Sequence, residues 1–122
     1  MDKNKREVLD KIENSASGLH SHCTELQNAY LKYKEILKIQ KEEYGWVEGF
    51  LKGLDNYAKE AHEAGLYEIS AKTDLLLHYR STLPAEFKNF KLPELQKLIE
   101  MAAELETDAI EERDGETPML NI

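Results

Sequence analysis

Cysteine is almost absent from this sequence, which has a single residue of this type, Cys23, among 122. One cysteine excludes an intrachain disulfide framework and a zinc site built from several cysteines. No run approaches the ~18 consecutive apolar residues of a membrane-spanning helix. The first residues, 1–7, do not lead into the apolar segment of a secretory signal. We therefore expect a cytoplasmic protein with no membrane partner.

Basic residues are fewer than acidic ones, with 16 Lys and Arg against 24 Asp and Glu and a net charge of −8. This balance argues against direct binding of nucleic acid by charge attraction. Most of the excess lies in residues 103–122, which contain seven acids and one base, Arg113. The remainder of the chain is nearly balanced. Any acidic surface is therefore predicted at the C-terminal end.

Apolar residues recur at alternating steps of three and four from Leu9 to Ala61, with one interruption at Gln40. This spacing is typical of one face of an α-helix, and no strand pattern of comparable length occurs. We predict an all-α fold, a helical bundle of three to four helices with a long N-terminal heptad-patterned helix. The first part of this stripe consists of Leu9, Ile12, Leu19, Cys23, Leu26, Tyr30, Tyr33 and Leu37.

The length of this apolar stripe favours self-association, because one short chain supplies few helices to cover it. A closed homodimer is the simplest arrangement, and we predict that the stripe forms an oligomer seam. If the first helices paired in parallel about a two-fold axis, Cys23 of one copy would face Cys23 of the other. Antiparallel pairing would separate the two thiols.

Poor helix formers mark two places where the first long helix is weakened, at residues 14–18 and around Gly45. We expect the helix to end or kink near residues 40–45 and a second helix to end at Ala64. Gly65 is predicted to adopt the left-handed conformation beyond this end, with Leu66 packing back on the last turn.

Two further helices are predicted, over residues 67–80 and 93–112. The first stops before Pro84, because the residue preceding a proline is disfavoured in helical conformation. Pro93 is favoured in the first turn of the second, whose apolar face is predicted to consist of Leu95, Leu98, Ile99, Ala102, Leu105 and Ala109. Between the two helices, Phe87, Phe90 and Leu92 are expected to be buried. Residues 1–113 are predicted to form one domain, followed by a mobile acidic and apolar tail over residues 114–122.

Three glycines at four-residue spacing form the most unusual local feature of the sequence. Small residues at this spacing on a helix let another backbone approach closely, and aromatic residues occupy a neighbouring stripe. This pattern indicates packing within the molecule or a dimer, or else a groove that holds an apolar helix of a partner. The predicted partner-binding residues here are Trp46, Gly49, Phe50, Gly53 and Tyr57.

The acidic end of the last helix is a second candidate surface. A helix C-terminus carries partial negative charge and is destabilised by carboxylates, and the segment contains only one base. The simple interpretation is a solubilising end. The functional alternative is that Glu104, Asp108, Glu111 and Glu112 bind a basic partner, as in an acidic inhibitor, of phage or mobile-element type, that occupies a nucleic-acid-binding groove of an enzyme.

Motifs for catalysis or metal binding are missing from the sequence. His20 and His22 are two residues apart, which does not suit a metal pair on one helix, and Cys23 lies on the apolar stripe, where a thiolate is disfavoured. We predict no catalytic, cofactor-binding or metal-ligating residue. The leading hypothesis is a non-enzymatic protein–protein interaction module. The alternatives are the acidic inhibitor and a scaffold or chaperone for an apolar partner helix.

Overall fold

The computed structural model describes residues 3–33, 40–85 and 90–114. Within them the chain forms four α-helices and no strand, which confirms the predicted all-α bundle. No helix in these described ranges is long and apolar enough to cross a membrane. The helices are α1 (Lys3–Tyr33), α2 (Gln40–Glu63), α3 (Tyr67–Ser81) and α4 (Leu92–Asp114).

The four helices are arranged in a ring in which α1 packs on α2 and α4, and α3 also packs on α2 and α4. Neighbouring helices run antiparallel. Lys11 of α1 pairs with Glu60 of α2, whereas the later residue His22 meets the earlier residue Trp46. The other neighbouring pairs show the same reversal. The bundle is therefore of the up-down-up-down type, and its α1/α2 side is opposite its α3/α4 side.

The hydrophobic core lies between the four helices and follows the predicted periodicity. On α2 the buried residues repeat at steps of three and four, because each of them faces the bundle axis. The predicted apolar face of α4 is confirmed in full. Its buried residues are Leu95, Leu98, Ile99, Ala102, Leu105 and Ala109.

The predicted oligomer seam is covered by the chain's own helices. Its described members are at most 2% exposed, because α2 and α4 both pack on α1. The premise that one chain cannot cover this stripe is therefore wrong, and Cys23 is turned into the core. The stripe therefore no longer supports a homodimer, which stays a prediction. The buried members are Leu9, Ile12, Leu19, Cys23 and Leu26, while Tyr30, Tyr33 and Leu37 lie outside the residues whose side chains are described.

The position of the first helix boundary differs from the prediction. α1 ends at Tyr33, and Gly45 lies within α2, which begins at Gln40. Residues 34–39 lie outside the described residues. A glycine inside a helix costs only about 1 kcal/mol relative to alanine, which burial of a neighbour such as Val47 offsets. Residues 14–18 are also helical, because burial of Ala16 offsets the cost of the poor helix formers around it.

The turn after α2 confirms the prediction at Gly65, whose φ is +85°. The Leu66 amide donates to the Ala61 carbonyl at 2.8 Å, and the Gly65 amide donates to the His62 carbonyl at 3.0 Å. These two bonds form a Schellman motif, in which a left-handed residue satisfies the last carbonyls of the helix. Leu66 is buried against the core, so the turn fixes the direction in which α3 leaves.

The later helices nearly match their predicted bounds. α3 ends at Ser81, one residue beyond the prediction, and α4 begins one residue early. It also runs through Asp114, which had been placed in the tail, whereas residues 115–122 lie outside the described residues. Phe90 is buried as expected, and the guanidinium of Arg80 lies 5.1 Å from the centre of its ring. The expectation that Leu92 is buried is wrong, since it begins α4 and is only half-buried there. Phe87 lies outside the described residues.

Candidate functional site

Three aromatic rings are stacked at the junction of α1 and α2. The rings of His22 and Trp46 lie 5.6 Å apart between centroids and are tilted by only 7°. Phe50 stacks on both, at 5.6 Å from His22 and 6.2 Å from Trp46. Trp46 and Phe50 are one turn apart on α2, so their side chains are neighbours. Trp46 is nevertheless 58% exposed. The cluster thus presents a stacked tryptophan to solvent.

The close helix contact at this cluster is made at Gly18, which belongs to the stretch of poor helix formers at residues 14–18. A Cβ atom on Gly18 would lie 2.4 Å from Cζ of Phe50, far inside normal contact distance. The ring of Phe50 therefore packs directly on the backbone of α1. The signal in the sequence was the spacing of Ser15, Gly18 and His22, which places small residues beside an aromatic one on a single helix edge.

The three glycines of α2 differ in their surroundings. Among the described residues, added Cβ atoms at Gly45 and Gly49 would have no neighbour within 4 Å, and both glycines are exposed. Gly53 has neighbours, with Tyr57 Cε2 at 3.4 Å and Ser15 Oγ at 3.7 Å. Close packing between described residues accordingly does not explain Gly45 and Gly49, and the predicted dimer or partner groove stays a prediction. Gly45 and Gly49 leave bare backbone next to the exposed tryptophan.

The candidate surface on this side, called here the α1/α2 face, consists of His22, Gly45, Trp46, Gly49 and Phe50. The structure brings together most of the residues predicted from α2 to bind a partner, but not all of them face outwards. Phe50 is half-buried against α1. Further along the same helix, Tyr57 is half-buried and is covered by Lys11, whose Nζ lies 5.6 Å from the ring centre.

The opposite side of the bundle carries a charged groove between α3 and α4. Lys72 Nζ donates to Asp108 Oδ2 at 2.7 Å across it. This hydrogen bond raises the pKa of Lys72 above its ordinary value. Partial burial opposes the shift, and the charges of Asp108, Glu68 and Glu104 reinforce it. Leu75, which lines the same groove, is 63% exposed. We call this surface the α3/α4 face.

The acidic end of α4 is neutralised in part by its own Arg113 and by Lys72 of α3. Arg113 donates to Asp114 at 3.0 Å and also binds Asp10 and Glu13 of α1. Its pKa is raised, chiefly by the bonds to Asp114 and Asp10, while that of Asp114 is lowered by Arg113. The expectation that Arg113 alone offsets this acidic end is therefore wrong, since Lys72 binds Asp108 as well.

The predicted acidic surface is consequently smaller than its sequence suggests. Asp108 is only 19% exposed in its side chain and is engaged with Lys72. Glu104, Glu111 and Glu112 are exposed. Three of the four predicted carboxylates are thus available to a basic partner.

Within the described ranges, no three His, Cys, Asp or Glu side chains are grouped so that they could hold a metal ion. No protein-family model, curated protein sequence or solved structure matches this chain. The function is therefore inferred from the chemistry of the two faces.

Proposed function

We propose that this chain is a non-enzymatic protein–protein interaction module that binds a partner protein through the α1/α2 face. The observation that carries the proposal is Trp46, which is 58% exposed yet stacked on the rings of His22 and Phe50. Tryptophan is enriched among the residues that dominate binding energy in protein interfaces. A ring that is already packed against its neighbours loses less conformational entropy when a partner covers it.

The glycines beside Trp46 support the same surface. Gly45 and Gly49 each cost the helix about 1 kcal/mol relative to alanine, and no contact with the part of the chain that the structure describes requires them. A partner that packs on bare backbone would make use of both. An apolar helix fits this description, because its side chains could lie across the two glycines and against the exposed indole. In that case the module would act as a scaffold or chaperone for the helix.

The acidic inhibitor is the second candidate, favoured by the exposure of Glu104, Glu111 and Glu112 on the last turns of α4. It would bind a Lys- and Arg-rich groove, and its affinity would fall steeply with salt. We place it second because Asp108 is already paired with Lys72. The two candidates use different sides of the molecule, so that substitutions can separate them.

Affinity capture from cells of the source organism, read by quantitative mass spectrometry, tests the proposal. The tagged chain is compared with Trp46→Ala and Gly49→Ala. Removing the tryptophan should lower recovery of a specific partner about ten-fold or more, as expected for a central interface residue. Gly49→Ala should also lower recovery, because the added methyl group would hold the partner away from the bare backbone, although alanine stabilises the free helix.

Leu31→Ala is the matched control, because Leu31 is 60% exposed, much as Trp46 is, and lies about 180° around α1 from His22. It should leave recovery unchanged. Equal capture by all three variants would contradict the proposal. Loss of the partner when Glu104, Glu111 and Glu112 are changed together to Gln, with no loss in Trp46→Ala or Leu75→Ser, would support the acidic inhibitor instead.

A further inference from the structure

α3 exposes an apolar stripe that the core does not use. Tyr67 and Leu75 are each 63% exposed, and Ala71 is exposed between them. The four-residue spacing places the three side chains on one face of the helix, over about 12 Å. The ring of Tyr67 is held in an edge-on contact with His62 at 4.9 Å. α3 is thus apolar on its outer surface as well as on the surface that faces the core.

The stripe borders a shallow groove whose other wall is α4. At its Leu75 end the groove is lined by Met101 and Leu105 of α4 and has a volume of about 60 Å³. At its Tyr67 end a second depression is lined by Leu66 and Ile69. At the Leu75 end the apolar surface therefore continues from the stripe into the groove, where Met101 is half-buried, while at the Tyr67 end Leu66 and Ile69 lie buried beneath it.

Carboxylates rim this apolar surface at both ends. Glu104 and Asp108 line the Leu75 end, and Glu68 and Glu112 line the Tyr67 end. Lys72 is the one cation lining these two depressions, and it is bound to Asp108. Four carboxylates and one ammonium group leave a net charge of −3 around the stripe.

We propose that the α3/α4 face binds a basic amphipathic helix of a partner protein. Apolar side chains at one-turn spacing on that helix would cover Tyr67, Ala71 and Leu75, as in the recognition of a helix by a groove. Its Lys or Arg residues would meet the carboxylates at each end. Charge complementarity selects a basic helix, since an acidic one would be repelled by the rim.

This binding surface is independent of the α1/α2 face, which lies on the other side of the bundle. It also differs from the inhibitor hypothesis in what it recognises. The carboxylates here surround an apolar stripe, so that binding requires apolar contacts as well as charge. A partner that supplied charge alone would leave Tyr67 and Leu75 uncovered.

The test uses the full chain and a synthetic amphipathic helical peptide of about four turns, with Leu on one side and Lys on the flanks. Binding is measured by fluorescence anisotropy of the labelled peptide. Two control peptides have Glu in place of Lys, or the same residues in scrambled order. The basic peptide should bind saturably and at least ten-fold more tightly than either control, since both charge and apolar order contribute.

Three variants of the chain locate the binding surface. Leu75→Ser should weaken binding about ten-fold, because an apolar contact is lost. The double change Glu68→Gln with Glu104→Gln should weaken it about five-fold at low salt and reduce its salt dependence. The matched control, Glu25→Gln with Asp55→Asn, makes the same charge change on α1 and α2 and should have little effect.

Absence of saturable binding up to about 1 mM peptide would overturn the proposal. Equal binding of the basic and scrambled peptides would also overturn it. Weaker binding in the Glu68 and Glu104 variant without weaker binding in Leu75→Ser would overturn it as well. That result would show attraction by charge alone, without contact with the stripe. Circular dichroism of each variant shows that the helices are intact, so that lost binding is assigned to the surface.

Discussion

The α1/α2 face and the α3/α4 face lie on opposite sides of one small bundle, and different forces hold each of them. On the α1/α2 face the helices meet through stacked rings, and Phe50 rests on the backbone at Gly18. On the α3/α4 face Lys72 spans the two helices to bind Asp108. The first contact depends on shape at close range, whereas the second depends on charge in a partly exposed groove.

This difference predicts how each face responds to substitution and to solvent. Close packing tolerates almost no added volume, because protein interiors are packed at crystal-like density. Packing contacts are also independent of salt concentration. An ion pair near the surface contributes little and is weakened by salt. The two faces can therefore be perturbed separately in the same molecule.

Gly18→Ala should produce the largest change in stability. The added Cβ would lie 2.4 Å from Phe50 Cζ, so the ring must move out of its stack with His22 and Trp46. We expect an overpacking cost of about 1–3 kcal/mol, partly offset by a propensity gain of about 1 kcal/mol. The net destabilisation should be about 1 kcal/mol by urea unfolding, with an altered Trp46 fluorescence spectrum.

Gly49→Ala is the matched control for this comparison, because the same atom added there meets nothing within 4 Å. It should stabilise the chain by about 0.5–1 kcal/mol. The difference between the two variants should not change with salt. Equal stabilisation by both would show that Phe50 moves freely and that the α1/α2 face is not closely packed.

Lys72→Met should produce a smaller loss of stability, because the pair with Asp108 is partly exposed. The loss should shrink as salt is added. The same variant should strengthen binding of the basic peptide, since it removes a cation from the groove. Chemical denaturation at low and high salt and peptide titration measure the two effects.

Lys59→Met is the control for the charge comparison. Lys59 and Asp55 are 3.9 Å apart and are both more than 60% exposed, so their pair should contribute almost nothing. A salt-independent loss for Lys72→Met would mean that the short-range hydrogen bond to Asp108, and not charge attraction that salt can screen, supports the α3/α4 face. Weaker peptide binding would contradict the electrostatic part of the α3/α4 proposal.

Features that depend on one helix alone were predicted well from the sequence. The core face of α4 and the left-handed turn at Gly65 follow from local periodicity and from backbone sterics. The proximity of Trp46 and Phe50 follows in the same way from their spacing within α2. Each of these features requires no knowledge of how the helices are placed against one another.

Features that depend on two helices were missed or misread. The contact between Gly18 and Phe50 requires the register of α1 against α2, which the periodicity of neither helix contains. Periodicity also shows that a stripe is buried without showing what covers it. The stripe that includes Leu9 and Cys23 was therefore assigned to a second copy, although α2 and α4 cover it.

The smallest predicted effect is a difference between two tyrosines of α3 in how much each contributes to stability at alkaline pH. Burial raises the pKa of Tyr79, and the charge of Glu94 adds to the shift. The neutral phenol is thus favoured in the folded chain, and its contribution is complete below the ordinary tyrosine pKa of about 10. As pH rises above that value, the unfolded chain loses this proton first, so stability falls until the raised pKa of Tyr79 is passed.

Tyr79→Phe should remove this part of the alkaline decline while keeping the ring beside Lys97, whose Nζ lies 4.7 Å from its centre. Tyr67→Phe is the control, because Tyr67 is 63% exposed. The measurements are unfolding free energy against pH and the ultraviolet absorbance of tyrosinate. If the stability of Tyr79→Phe fell with pH as steeply as that of the unchanged chain, the Tyr79 hydroxyl would be exposed to solvent. The solvent-exposed, charged part of the α3/α4 face would then reach further towards the core than the structure indicates.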